Sequence, residues 1–142
     1  MTRMWQIDPA LLCRAHLLAE HRECHMLAGA VLKGMRPSLY GLALKGRIEV
    51  HNVELRHAAL EREFERRGYT TVQPWPDVAS QLWVCGVVNP EVSLVTLYCR
   101  CPDCAKRIGT AAARTAVTKL SADDIQGIRD LEDWRSKNPR WG

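Results

Sequence analysis

Residues 16–23 read His-Leu-Leu-Ala-Glu-His-Arg-Glu, and this stretch decides the fold expected for the chain. Asp8 and Pro9 lie upstream and predict a helix start, because aspartate caps free backbone N–H groups and proline suits the first helical turn. The helix is expected to run from Pro9 to about Lys33, since Gly34 follows. Its apolar face recurs at helical spacing: Leu11, Leu12, Ala15, Leu18 and Ala19.

Polar side chains share another side of this predicted helix. His16, Glu20 and Glu23 fall on one stripe, because seven residues are close to two helical turns. Arg22 lies beside them, and the N-terminus is a short distance upstream. The pattern predicts that the N-terminus, a carboxylate and an arginine converge in one site, while Glu20 is expected to support the fold.

The same residues carry a resemblance to a known family. Residues 1–3, the block 16–23 and the following residues 29–31 resemble the phage-type pyrimidine-dimer DNA glycosylases, also called endonuclease V of the phage repair type. The charged stretch 56–69, with its glycine stop, looks like the second long helix of that family. The resemblance covers the first half of the chain and weakens beyond residue 75.

The resemblance implies a DNA repair N-glycosylase with abasic-site lyase activity on pyrimidine dimers. In that family the α-amine of residue 2 is the nucleophile that forms a Schiff base at C1′, and a helix glutamate is the catalytic carboxylate; Thr2 and Glu23 match these positions. The amine requires removal of Met1. Its reference pKa of about 7.7–8.0, against about 10.4 for lysine, leaves more of it neutral at pH 7. Catalysis then needs no metal or dissociable cofactor.

Four side chains are expected to contact double-stranded damaged DNA near these two residues. Arg3 and Arg22 would bind phosphates flanking the lesion, and His16 would line the site, although surface arginines and a packed histidine remain alternatives. The family has a proline where this chain has His25 and an arginine where it has Met26. One phosphate contact is therefore expected either to be lost or to be supplied by His25.

The C-terminus departs from the family as well. The resembled proteins end in an aromatic-rich tail that engages DNA, whereas this chain stops at Trp141-Gly142. Trp141 is expected either to stack on DNA or to pack at the end of the chain.

Composition limits the other classes of function. The chain has 142 residues, of which 46% are apolar and 25% charged, as expected for one globular domain spanning residues 1–142. It has no apolar run long enough for a bilayer and no signal peptide, so we expect a cytoplasmic monomer, in a bacterial or phage-infected cell, without a membrane partner. The net charge of +4 is compatible with nucleic acid but does not establish it.

The chain beyond the first helix is predicted to be mainly α-helical, with one exception. Residues 35–50 are expected to form a loop, residues 52–67 a second helix, and residues 103–119 and 121–137 two more. Residues 82–88 and 92–98 are rich in strand-favouring side chains and flank Asn89-Pro90-Glu91. They predict a small β-hairpin insertion, around residues 82–99, in a compact helical domain.

Four cysteines near this segment predict a structural zinc site: Cys85, Cys99, Cys101 and Cys104. Four thiolates suit tetrahedral zinc, and reduced, metal-free cysteines are the alternative interpretation.

Two other functions remain open. The segment Thr96-Leu97-Tyr98 followed by residues 101–105 looks like the zinc end of a cytidine or deoxycytidylate deaminase. Those enzymes need a glutamate two residues after the upstream ligand, whereas Ala59 follows His57 at that spacing. A non-catalytic DNA-binding module that keeps the helical scaffold is the other alternative.

Overall fold

A computed structural model describes residues 2–70 and 73–138. Within these ranges it contains no strand and eight α-helices: α1 (Arg14–Leu32), α2 (Arg36–Leu44), α3 (Val53–Arg67), α4 (Pro90–Arg100), α5 (Pro102–Ile108), α6 (Thr110–Thr118), α7 (Ala122–Gly127) and α8 (Arg129–Lys137). Short 3-10 turns cover Pro9–Leu11, Val50–Asn52 and Ala79–Gln81. None of the helices in the described ranges combines the length and the apolar character that a membrane crossing requires.

The predicted β-hairpin around residues 82–99 is wrong. Residues 82–89 form a loop, and α4 begins at Pro90. The Asn89 side chain accepts hydrogen bonds from the backbone N–H groups of Glu91 and Val92 at 3.0 and 3.2 Å. Asn89 and Pro90 therefore act as a helix cap and first turn instead of a hairpin turn. Val95 and Thr96, which favoured a strand, are buried in α4, where packing outweighs strand propensity.

The first helix is interrupted near its predicted start. Residues 9–11 form a 3-10 turn capped by the Asp8 carboxylate, which accepts the Ala10 N–H at 3.0 Å. Cys13 has an extended backbone, and its Sγ accepts the His16 N–H at 3.5 Å at the start of α1. The buried face also differs from the predicted apolar stripe, because Ala15 is exposed. The buried residues of α1 are Leu17, Glu20, His21, Cys24, His25, Leu27, Ala28 and Val31.

A buried ion pair joins α1 to α3. The fully buried Glu20 accepts hydrogen bonds from Arg56 Nε at 2.6 Å and Nη2 at 2.9 Å. Glu20 also accepts the Trp5 backbone N–H at 3.3 Å, and Arg56 donates to the Ile7 carbonyl at 2.6 Å. These hydrogen bonds offset the cost of burying both charges. Glu20 therefore holds the N-terminal segment against both helices, which agrees with its expected supporting role.

The remaining predicted boundaries have mixed outcomes. α3 ends at Gly68, whose φ of +78° is the left-handed conformation that stops the helix as predicted. The loop expected at residues 35–50 contains α2, and the helix expected over residues 103–119 is divided at Gly109. Ser121 and Asp124 form the predicted capping box of α7, but α7 ends at Gly127 and α8 follows.

The second half of the described chain packs around α4. This helix contacts α5, α6 and α8, and a small apolar cluster forms there: Val95, Ala116, Ile128 and Leu131. The loop before α4 is anchored to Glu49, which accepts the Val88 N–H at 2.7 Å. Gly86 has a φ of +92°, and a side chain there would come within 2.1 Å of the Ile48 carbonyl oxygen. The loop therefore lies directly against residues 46–50 and places α4 opposite α1.

Candidate active site

A cavity of about 880 Å³ opens between the N-terminal segment, α1, α4 and α7. Its lining includes Glu23 and His16 from α1 and Thr96 from α4. Four basic side chains also line it: Arg3, Lys45, Arg47 and Arg100. The cavity can therefore accept an anionic ligand beside a carboxylate.

The structure places Thr2 and Glu23 close together. The Glu23 carboxylate accepts a hydrogen bond from the Arg3 backbone N–H, at 3.0 Å from that nitrogen to Oε2. Since only the Thr2 Cα and carbonyl carbon separate the Thr2 nitrogen from the Arg3 nitrogen, covalent geometry keeps the Thr2 nitrogen within about 7 Å of this oxygen. A backbone amine at residue 2 is thus near a carboxylate at the edge of the cavity.

Burial shifts the pKa of both charged groups at this edge. It raises the pKa of Glu23 above its usual value, while the hydrogen bond from Arg3 opposes the shift. Burial, together with repulsion from Arg100 and Arg47, lowers the pKa of Arg3 to about 10. Arg3 therefore remains a cation at neutral pH, and its guanidinium lies 4.1 Å from the centre of the Trp5 ring.

Two buried polar atoms at the cavity have no hydrogen-bond partner among the described residues. They are Arg3 Nε and Ser93 Oγ, and the Ser93 residue is only 1% exposed. A buried polar atom left without a partner costs free energy, so such atoms call for an explanation. A ligand in the cavity that offers oxygen acceptors would provide one.

Arg22 and His25 lie on a different side of α1 from the cavity. With Thr2 and Met26 they line a separate groove of about 530 Å³. Arg22 is exposed there. His25 is only 9% exposed, and its Nε2 lies 3.1 Å from His57 Nε2. This placement does not favour the phosphate contact expected for His25.

The group of possible metal ligands in the structure differs from the predicted set of four cysteines. Cys101 and Cys104 lie with Cys13 and His16, and the four ligand atoms are all within 4.8 Å of one another. Cys85 and Cys99 are not members of this group. All four residues of the group can therefore ligate one metal ion, with three thiolates and one imidazole.

A second cluster of titratable side chains lies in the core between α1 and α3. It consists of His21, His25 and His57, with the Glu61 carboxylate beside them. Burial lowers the pKa of His57 to about 4, although the nearby Glu61 opposes this shift. From the sequence, His57 is considered individually only in the alternative deaminase pattern.

Comparison with known proteins identifies the first half of the chain. The model of a family described as pyrimidine dimer DNA glycosylase matches residues 2–77, just over half of the sequence. The chain belongs to the pyrimidine dimer DNA glycosylase family. The resemblance predicted from the sequence is confirmed, whereas no curated protein and no solved structure matches.

The pyrimidine dimer DNA glycosylase match contains Thr2, Arg3 and all of α1, α2 and α3 but ends before α4. The family acts on pyrimidine dimers in DNA. One wall of that cavity comes from residues beyond the match. Trp141, expected to stack on DNA, lies outside the described residues.

Sequence reasoning missed the cavity residues contributed by α4 and by the turn before Ile48. Val92, Thr96 and Arg100 recur every four residues and therefore share one helix face, a signal that the hairpin interpretation concealed. Arg47 had no comparable signal, because it follows α2 in a turn whose position depends on the Met4 N–H donating to its carbonyl at 2.7 Å.

Proposed function

We propose that this member of the family excises a dimerised pyrimidine from double-stranded DNA and then cleaves the strand as an abasic-site lyase. The nucleophile is the α-amine of Thr2 after removal of Met1, and Glu23 is the catalytic carboxylate. The observation that carries this proposal is the hydrogen bond from the Arg3 N–H to Glu23, because it keeps residue 2 beside the carboxylate. Arg3 and the basic cavity add the phosphate-binding surface.

The chemistry begins at C1′ of the damaged nucleotide. The neutral amine of Thr2 forms a bond to C1′ as the glycosidic C–N bond breaks, and the departing base takes the bonding electron pair and a proton. A proton then moves from the attached nitrogen to O4′, the sugar ring opens, and a Schiff base links Thr2 to C1′. Glu23 is placed to stabilise the positive charge on the sugar and to move these protons.

Strand cleavage follows by elimination. Glu23 accepts a proton from C2′, the C3′–O bond breaks, and the 3′ phosphate leaves with its electron pair. Water then hydrolyses the Schiff base and restores the amine. The raised pKa of Glu23 suits a carboxylate that both accepts and returns protons.

The basic cavity wall supports the DNA component of this proposal. Arg3, Arg47 and Arg100 bring cationic side chains to one cavity, and Ser93 Oγ adds a buried hydroxyl without a protein partner. An extruded nucleotide would offer phosphate and sugar oxygens to these groups. Dimerised pyrimidines are already poorly paired, which lowers the cost of extrusion.

Borohydride trapping on a dimer-containing duplex tests the nucleophile. We expect a covalent protein–DNA adduct that peptide mapping locates at residue 2. Thr2→Ala should keep the adduct, because a small second residue still permits removal of Met1. Thr2→Leu should retain Met1 and therefore form no adduct. An adduct on a lysine, or an equal yield from Thr2→Leu, would contradict the proposal.

Glu23→Gln separates catalysis from binding in the same assay. Loss of a positioned acid–base group should lower strand cleavage by about 10²–10⁴-fold while much of the DNA affinity remains. Glu65→Gln, an exposed change on α3, is the matched control. Unchanged cleavage by Glu23→Gln would remove this residue from the mechanism.

We also propose that Cys13, His16, Cys101 and Cys104 hold a structural zinc ion. Cys13 Sγ lies 3.8 Å from Cys101 Sγ, and His16 Nδ1 lies 3.2 and 3.5 Å from Cys13 Sγ and Cys104 Sγ. A tetrahedral zinc site has S–S edges of about 3.8 Å and S–N edges of about 3.6 Å. A disulfide would instead bring two sulfurs within about 2.05 Å.

Backbone hydrogen bonds support the thiolates of this group. Cys104 Sγ accepts the Cys13 N–H at 3.3 Å, and Cys101 Sγ accepts the Cys104 N–H at 3.4 Å. The closed set of four ligands makes the site structural. With its Nδ1 directed at the thiols, His16 would join the cavity wall to the zinc site instead of binding phosphate.

Metal analysis of cysteine variants tests this ligand set. Cys101→Ser and Cys104→Ser should each remove about one zinc per chain and lower the melting temperature. Cys85→Ser and Cys99→Ser are matched controls that should keep the ion. Zinc that is lost from Cys99→Ser but kept in Cys101→Ser would overturn the assignment.

A further inference from the structure

Three imidazoles converge in the core between α1 and α3. His21 and His25 lie one turn apart on α1, and His57 faces them from α3. Their ligand nitrogens are all within 4.8 Å of one another, and the three residues are 8%, 9% and 5% exposed. Buried polar side chains gathered so closely need a common partner or a complete hydrogen-bond network.

The contacts of His57 do not form an ordinary hydrogen-bond network. Its Nε2 lies 3.1 Å from His25 Nε2 and 3.0 Å from Glu61 Oε1. The same Glu61 oxygen lies 3.3 Å from His21 Nε2. A neutral imidazole nitrogen carries either one proton or one lone pair, so His57 Nε2 can make only one linear hydrogen bond. Its two close contacts indicate that neighbouring side chains direct lone pairs toward one point between them, as metal ligands do.

We propose that His21, His25 and His57 bind one divalent transition-metal ion of the zinc class, with the Glu61 carboxylate beside His21 and His57. Neighbouring ligands around such an ion are separated by about 3.3 Å when the metal–ligand distances are about 2.0–2.1 Å. The distance of 3.1 Å between the Nε2 atoms of His25 and His57 is close to this spacing. Imidazole is the ligand that zinc, iron, copper and nickel share in proteins.

The surroundings of the cluster indicate a structural ion. Trp75 stacks on His57 with ring centroids 4.1 Å apart, and the Trp75 Nε1 donates to Glu54 at 2.9 Å. Phe64 packs against His21 at 4.7 Å between ring centroids. Aromatic rings therefore pack against the imidazoles, and the ion would lie in the core between the two helices.

The ion would stabilise the part of α1 that carries Glu23. This residue lies between His21 and His25 in the sequence, and His25 also lines the groove that contains Thr2. A metal bound to α1 and α3 would cross-link these helices through His21 and His25 on α1 and His57 on α3. The inference stands on this geometry alone and does not depend on the proposed glycosylase chemistry.

Metal analysis and cobalt substitution of the full chain test the metal site formed by His21, His25 and His57. We expect about two zinc-class ions per chain in wild type, and about one in His57→Gln and in His25→Gln. Cobalt in the histidine site should give visible bands without the thiolate charge-transfer absorption that marks cobalt at cysteines. His57→Gln should lose the bands of the histidine site and keep the thiolate charge-transfer absorption of the cysteine site.

Two controls guard against a general loss of folding. His51→Gln changes a histidine outside the cluster and should keep both ions, and circular dichroism should show equal helix content in all variants. Glu61→Gln should weaken cobalt binding at this site about 10–100-fold, whereas the exposed Glu65→Gln should not. The proposal is overturned if folded wild type holds only the cysteine-bound ion, or if His57→Gln and His25→Gln keep both.

Discussion

At the scale of single residues, Glu49 is the main anchor between distant segments. Its carboxylate accepts hydrogen bonds from Gln6 Nε2 at 2.9 Å, Asn52 Nδ2 at 2.7 Å and the Val88 N–H at 2.7 Å. Burial by itself would raise the pKa of Glu49, but these three hydrogen bonds together lower it. The ionised carboxylate is therefore favoured in the folded state.

This lowered pKa makes stability depend on pH. The unfolded chain takes up a proton at a higher pH than the folded chain, so the contribution of Glu49 is complete above about pH 4.3, the ordinary pKa of glutamate, and is lost as the pH falls through the folded pKa. Glu49→Gln should lower the free energy of unfolding by about 1–3 kcal/mol at pH 7. The difference from wild type should shrink in urea titrations below pH 4.

The exposed Glu65→Gln provides the comparison for this titration. It should leave the urea midpoint nearly unchanged at pH 7. A Glu49→Gln protein with wild-type stability at pH 7, or with a deficit that grows on acidification, would contradict the argument.

The sequence indicates the proposed catalytic pair more directly than the proposed metal ligands. Thr2 and Glu23 could be chosen because they match a family pattern at fixed spacing, and the structure brings them together. Cys13 falls within the helix predicted from Pro9 to Lys33, and nothing local shows that it lies beside Cys104, 91 positions later. The sequence therefore predicts the cysteine-rich segment but not its partners.

At the scale of elements, the start of α4 determines one wall of the cavity. Asn89 caps this helix, and α4 brings Ser93 and Arg100 to the cavity. Local propensity favoured a strand here, because Val, Thr and Leu dominate the segment. The bounds of α3 were predicted closely, because its charged residues and Gly68 agree with its packing. The helix expected over residues 103–119 was divided because Gly109 adopts a φ of +84°.

Removing the Asn89 cap tests this element. Asn89→Ala should lower the free energy of unfolding by about 0.5–2 kcal/mol, because two N–H groups of the first turn lose their acceptor. Asn89→Asp keeps an acceptor and should recover most of the loss, as measured by chemical denaturation. Equal stability of Asn89→Ala and wild type would show that the cap is dispensable.

At the scale of the whole molecule, the chain combines a family region with a second group of helices. Residues 2–77 match the family and supply the expected catalytic residues, whereas α4 to α8 follow that region. Contacts between these parts arise from folding, which is why sequence reasoning identified Glu23 but missed Arg100 and the ligand combination around His16. The mainly α class was predictable from helical spacing, and the number of helices was not.

The division of the cavity between these two parts has a consequence for substitutions. Glu23 lies inside the family region, but Ser93 and Arg100 belong to a wall beyond it. Substitutions in that wall can therefore change what the cavity accepts while Glu23 and its hydrogen bond to Arg3 stay the same.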